Sequence, residues 1–195
     1  MWTLRDYRPE DETSWLRCRV LGFLDTAYFD DVAVRKPQRD PGLEVVAVAG
    51  DQVVGLLDAS IDGDQATIET VVVHPDHRRL GIAHALLDEI SRRLAVRGVR
   101  QIDAWTRDDA RTLDWYAGQG FVEEMRYLHV YASTPEEAAF AGREGLLPRS
   151  GFFHAWLEQE DELRAEFRRV HVCRRFVRSV SETGVGEDAM HGRLE

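Results

Sequence analysis

The residues best placed to do chemistry are Arg78, Gly81 and Ala83, spaced Arg78-x-x-Gly81-x-Ala83. They follow a β-branched run, Val71-Val72-Val73, that stops at His74-Pro75, and they open a stretch with helical spacing. The first turn of a helix carries backbone N–H groups with no partner inside the helix. The helix dipole adds positive potential at the same place. Gly81 has no Cβ, so an anion can approach its backbone closely. Arg78 and Arg79 add charge and side-chain donors. Together these features make an anion cradle suited to phosphate.

A second stretch lies downstream: Leu113-Asp114-Trp115-Tyr116-Ala117-Gly118-Gln119-Gly120-Phe121. The two stretches together resemble the signature of the GNAT N-acetyltransferases. In that family Gln or Arg, two residues, Gly, one residue and Gly or Ala follow a strand, and an aromatic, Tyr, three residues and Gly-Phe come later. The resemblance runs in element order from about Met1 to Tyr131 and is close from about Thr67 to Phe121.

The resemblance implies acetyl-CoA as co-substrate and no metal. It assigns Arg78, Arg79, Gly81, Ile82 and Ala83 to the CoA pyrophosphate loop, and the backbone of Val71 and Val73 to the pantetheine arm. Asp109 stands where relatives often carry an asparagine that touches CoA; an ionised aspartate has no proton to donate there. The implied reaction is direct attack by a primary amine in a ternary complex. No cysteine or serine site suggests an acyl-enzyme.

Acetyl transfer needs a deprotonated amine, stabilisation of the thioester oxygen and a proton for the leaving thiolate. Tyr116 matches the family's acid tyrosine, and a phenol with pKa ~10 holds its proton at neutral pH. Glu69 is the candidate base. Regular alternation along its strand would place it on the side of Val71 and Val73. The competing reading of Glu69 is a structural pair with an arginine. Tyr127, His129 and Trp156 are candidates for the acceptor pocket. His74 and His77 flank Pro75-Asp76, but no further ligands suggest a metal.

The elements that must carry these residues follow from periodicity. Trp2–Tyr7 is a strand, and Pro9-Glu10-Asp11 sets up a helix with Trp15, Leu16, Val20 and Phe23 on its apolar face. A helix or irregular segment spans Asp25 to Val34. Leu43–Ala49, Gln52–Ala59 and Ala66–Val73 form an antiparallel meander, with turns at Gly50-Asp51 and Asp62-Gly63. A helix spans Leu80 to Arg97, with Gly98 after its end. Asp88 with Arg92, and Glu89 with Arg93, would pair along its outer face. Val99–Trp105 then returns parallel to Ala66–Val73 by a right-handed crossover. Asp108 or Asp109 caps the next helix, and Glu123–Tyr131 and Val170–Val177 are the last strands.

The fold class is therefore α/β (α+β): a mixed, mostly antiparallel central sheet with a splayed parallel strand pair and flanking helices. Residues 1–179 would form one domain, with 134–169 inserted before the last strand and 180–195 a polar, flexible tail. The insertion holds a capping box at Thr134-Pro135-Glu136-Glu137, the aromatic run Phe152–Trp156 and an acidic helix near Glu160 to Arg168. It would act as a lid over the acceptor site or as the contact of a homodimer.

Composition bounds the partners. Of the 195 residues 44% are hydrophobic and 31% charged, as in a soluble globular protein. The net charge of −10 argues against a nucleic-acid binder and is compatible with a cationic amine. No apolar run suits a bilayer, and Arg5, Asp6 and Arg8 interrupt any secretory pattern, so the expected location is cytoplasmic. Cys18 and Cys173 give neither a disulfide framework nor metal spacing.

Two rival functions stay open. A degenerate acyl-CoA-binding module would sense CoA without turnover. A nucleotide-binding enzyme would use the same cradle, but the chain lacks both Gly-x-x-x-x-Gly-Lys-Ser/Thr and Gly-x-Gly-x-x-Gly. The acceptor is a small-molecule or peptide amine that the sequence does not identify.

Overall fold

A computed structural model describes residues 1–180. The expected tail lies outside the described residues, apart from Val180. Eight strands form one sheet: β1 (Thr3–Asp6), β2 (Gly42–Ala49), β3 (Gln52–Asp62), β4 (Gln65–Val73), β5 (Gln101–Thr106), β6 (Val122–Ala132), β7 (Gly151–Ala155) and β8 (Arg169–Ser179). Their spatial order is β1-β2-β3-β4-β5-β8-β6-β7. Among the described residues only β4 and β5 pair in parallel. The fold class is the one expected.

Helices cover both faces. Helix α1 (Glu12–Phe23) lays Trp15 and Cys18 on Val46, Val48, Leu56 and Val72. Helix α2 (Ile82–Val96) buries Ile82, Leu86, Leu87, Ile90 and Leu94 on the opposite face, against Val45, Leu57 and Ile102. Helix α3 (Ala110–Gly118) follows β5 on the α2 side, where Tyr116 joins that core. In the insertion, the short α4 (Pro135–Ala138) and α5 (Glu160–Glu166) seat Ala138 and Leu163 on Leu128, Val130, Val170 and Val172.

The local chemistry explains the boundaries. Helix α2 ends where Gly98 (φ +77°) lets its own N–H bond Ala95 O and the N–H of Val99 bond Leu94 O, each satisfying a terminal carbonyl. Asp109 caps α3 by accepting from the Thr112 N–H at 3.0 Å. Along α2, Glu89 pairs with both Arg92 and Arg93, whereas Asp88 pairs with His84. The expected Asp88–Arg92 pair is replaced because Glu89 offers Arg92 a closer partner three residues away. Gly22 brings α1 close to β4: a Cβ there would overlap the Val72 side chain.

Of the two alternatives expected for Asp25–Val34, the structure takes the irregular one, turns and coil without a helix. Arg19, Arg78, Arg107, Arg111 and Arg169 hold it from elsewhere in the fold. The aromatic run Phe152–Ala155 is a strand, β7, paired with β6 at the sheet edge.

Lys36, the chain's only lysine, is buried between Glu44 and Asp58, with its ammonium 4.5 Å from the Tyr7 ring centre. Burial pushes the Asp58 carboxyl up to about 6, against the opposing pull of Lys36. The folded chain thus holds this proton better than the unfolded chain does. The associated stability is complete below the unfolded value of about 4 and is lost as pH rises through about 6. In urea titrations between about pH 4 and 7, wild type should lose stability relative to Asp58→Asn. Parallel curves would show that Asp58 does not titrate in that range.

Candidate active site

A cleft opens where the parallel pair comes apart. β4 and β5 are bonded from Gln65↔Gln101 to Ile68↔Ala104, and β4 then runs on to Val73 without β5. The gap, about 230 Å³, is bounded by Val71–Val73 on one side and Thr112 and Trp115 of α3 on the other. At its end lies the start of α2. The first helical bond there is Ala85 N–H to Gly81 O (3.0 Å), so the amides of Ile82, Ala83 and His84 precede the ladder. Gly81 has φ +77°, and a Cβ built on it would meet no atom within 4 Å. The backbone is thus turned for glycine with open space beside it. An extended chain ending in phosphates suits this shape: strand backbone along its length, helix amides at its charged end.

The predicted loop residues take distinct places. Ala83 and Arg78 border the cleft. Ile82 is buried beneath α2, so it offers only its amide. Arg79 is exposed and adopts φ +64°. The Arg78 guanidinium does not stand free. It grips Asp25 with two bonds of 2.6 and 2.8 Å and bonds Gly22 O at 2.9 Å. Arg111 reaches the same carboxylate at 3.1 Å. Arg78 and Arg111 hold the Asp25 carboxyl well below the usual carboxylate range. Asp109 borders the cleft, but one carboxylate oxygen already accepts both the N–H and the hydroxyl of Thr112.

Tyr116 is buried at 3% exposure. Its ring stacks on Phe176 at 5.4 Å and meets Phe121 edge-on at 5.2 Å. Burial pushes its hydroxyl pKa up, so it stays protonated at neutral pH. Its neighbour Trp115 borders the cleft.

Glu69 requires a correction. A bulge in β4 interrupts the alternation: Asp58 faces Thr70, and the next residue, Ala59, faces Ile68. Ile68 and Val71 therefore pack in the same core although three residues apart. Glu69 is the extra residue, and it is not on the side of Val71 and Val73. Its carboxylate accepts from the Ser60 hydroxyl at 2.7 Å and pairs with Arg39 at 3.5 Å. It lies next to Ile68, the last residue of β4 bonded to β5.

On the face away from α2, the far half of the sheet carries a row of aromatic and histidine side chains. Tyr127 and Trp156 border an open groove of about 590 Å³, with Trp105 and His154. His129 stands directly behind: it meets the Tyr127 hydroxyl at 3.0 Å and stacks on His154 at 4.9 Å. Burial and the nearby Arg107 push His129 down to about 4, which keeps it neutral. The three predicted pocket residues thus share one face. Sequence reasoning missed Trp105, Arg107 and His154. The alternation Tyr127, His129, Tyr131 was the available signal for that face, but the neighbours come from other strands.

Comparisons with known proteins point to one family. Residues 40–123 match the family model of an acetyltransferase (GNAT) domain. An acetyltransferase of Pectobacterium atrosepticum is 33% identical over 145 residues, covering 72% of this chain and 98% of the relative. One of Sodalis glossinidius is 35% identical over 110 residues, covering 54% of this chain and 76% of the relative. Among solved structures, the ribosomal-protein-S18-alanine N-acetyltransferase of Escherichia coli shares the fold with a TM-score of 0.63 at 17% identity, over 97% of this chain and 99% of that one. The PaiA N-acetyltransferase of Thermoplasma acidophilum, in complex with coenzyme A, aligns with a TM-score of 0.55 at 13% identity, over 64% and 91%.

Proposed function

This chain belongs to the GNAT acetyltransferase family, an acetyl-CoA-dependent acyltransferase, and from that premise we propose that it acetylates a primary amine by direct attack in a ternary complex. The observation that carries the reading is the parting of β4 from β5 beside the unpaired amides that open α2.

The roles follow from position. The backbone of Val71 and Val73 lies along the cleft for the pantetheine arm. The amides of Gly81, Ile82 and Ala83 receive the pyrophosphate. Arg78 and Arg111 supply charge once Asp25 yields to a phosphate. Acetyl-CoA brings the thioester: the C–N bond to the amine forms as the C–S bond breaks, and the thiolate takes a proton. Tyr116 supplies that proton. Glu69, at the point where the strands part, accepts the amine's proton directly or through water. Tyr127, His129 and Trp156 border the acceptor, and residues 134–169 wall it through His154 and Ala155 of β7, Trp156 and Gln159. Residues 1–179 act as one catalytic unit. Among the described residues no helix is long and apolar enough to cross a membrane.

Glu69→Gln should lower kcat about 10²-fold and remove the acidic limb of the kcat/KM profile against pH. An acidic limb left in place would mean that another group takes the proton.

The reading is tested by thermal shift with acetyl-CoA, CoA and ATP, then by thiol release on an amine panel. A ligand that binds only the folded state raises its apparent stability. Stabilisation by acetyl-CoA but not ATP, with amine-dependent thiol release, is expected. Stabilisation without turnover on any amine would favour a CoA-sensing module.

A further inference from the structure

Among the described residues Arg107 is a buried cation that forms no direct ion pair, its closest carboxylate influence being the more distant Asp30. It follows Thr106, the last residue of β5, and is only 8% exposed. A guanidinium has five N–H donors. Three are taken: Nε–H points to His129 Nδ1 at 3.4 Å, one terminal nitrogen donates to Ala27 O, and the other to the Tyr131 hydroxyl. All three acceptors are uncharged. The rings of Tyr28 and Tyr131 lie 4.1 and 5.2 Å from the guanidinium carbon.

The arginines around it are balanced. Arg169 pairs with Asp30, Arg175 with Asp103 and Glu124, and Arg19 with Asp31, while Asp108 is engaged by the His171 ring. Among the described residues no carboxylate forms an ion pair with Arg107. Burying a charge without a partner is costly, and a fold tolerates it where a partner arrives from outside.

Its location says what that partner belongs to. The Arg107 N–H donates to the Tyr28 hydroxyl at 3.0 Å, in the loop whose Thr26 borders the donor cleft. On its other side, His129 connects it to the groove bordered by Trp105, Tyr127, His154 and Trp156. Arg107 therefore stands between the donor cleft and the groove.

We propose that Arg107 binds an oxyanion on the acceptor, so that the substrates are amines that also carry a carboxylate or phosphate. The two remaining N–H donors, one on each terminal nitrogen, match a carboxylate or phosphate as a hydrogen-bonded partner. This inference rests on the acetyl-transfer reading and narrows its substrate class.

The test is thiol release from acetyl-CoA with matched amines: amino acids against their decarboxylated amines, and phosphoethanolamine against ethanolamine. In wild type, an oxyanion-bearing amine should exceed its oxyanion-free match in kcat/KM by about tenfold or more; which pair responds identifies carboxylate or phosphate. Arg107→Gln should raise the KM of that amine about tenfold while the KM of its oxyanion-free match and the KM for acetyl-CoA stay unchanged. Arg107→Lys, which keeps the charge but loses the fork, should fall between the two. Should Arg107→Gln fail to fold, free acetate and inorganic phosphate serve as probes on wild type, where one of them should inhibit competitively against the amine. Equal use of amines with and without an oxyanion overturns the inference, as does an equal loss for all amines in Arg107→Gln, which marks a structural clamp. Absence of any acetyl-CoA binding or thiol release overturns the acetyl-transfer reading itself, and the inference with it.

Discussion

A Tyr116→Phe enzyme is expected to keep its fold and its affinity for acetyl-CoA while kcat falls by about 10²- to 10³-fold. The ring is held by stacking on Phe176 and edge contact with Phe121, and phenylalanine retains both. The substitution therefore removes only the hydroxyl. That hydroxyl is kept protonated by burial, the state a proton donor to a thiolate needs. Two measurements separate chemistry from packing. A single-turnover rate reports proton delivery, and a thermal midpoint reports the stack. A lowered midpoint with unchanged turnover would reduce Tyr116 to a core residue.

The second large effect is expected at Gly81. Gly81→Asp should weaken acetyl-CoA binding about 10²-fold, equivalent to about 2.7 kcal/mol. The new carboxylate would sit at the helix start, in the place of the incoming phosphate, and repel it. Its effect on folding has two opposing parts. A side chain at φ +77° costs about 1–2 kcal/mol. A negative charge at a helix N-terminus returns about 0.3–1 kcal/mol. Stability should change little while affinity collapses. Gly81→Ala is the control, because it adds the strain without the charge and no atom lies within 4 Å of the added Cβ. Calorimetric titration with acetyl-CoA decides the matter. Wild-type affinity in Gly81→Asp would mean the α2 amides do not receive the phosphates.

Local patterns made most of the fold legible. The meander β2–β3–β4 follows from short turns between β-branched runs, and short connections force antiparallel pairing. The crossover through α2 fixes β5 as a parallel neighbour. Gly81 and Gly98 mark the ends of α2 because only a residue free at positive φ serves there. The strand β7 was not legible: a five-residue aromatic run declares itself a strand only when β6 supplies an edge to pair with.

The chain by itself therefore determined the architecture, the glycine loop that opens α2 and the helix that carries Tyr116, because each depends on neighbours within a few residues. Tertiary structure decided the pairing of charges and the aromatic face of β6. The bulge that moved Glu69 off the side of Val71 arises from the pairing of β4 with β3, which no alternation rule contains. The grip of Arg78 on Asp25 joins residues 53 positions apart. Arg107 has no direct ion pair among the described residues, and the carboxylates of Asp30, Asp103, Asp31 and Asp108 instead meet Arg169, Arg175, Arg19 and His171. Which charge finds which partner is a property of three-dimensional proximity, and the sequence lists the charges without pairing them.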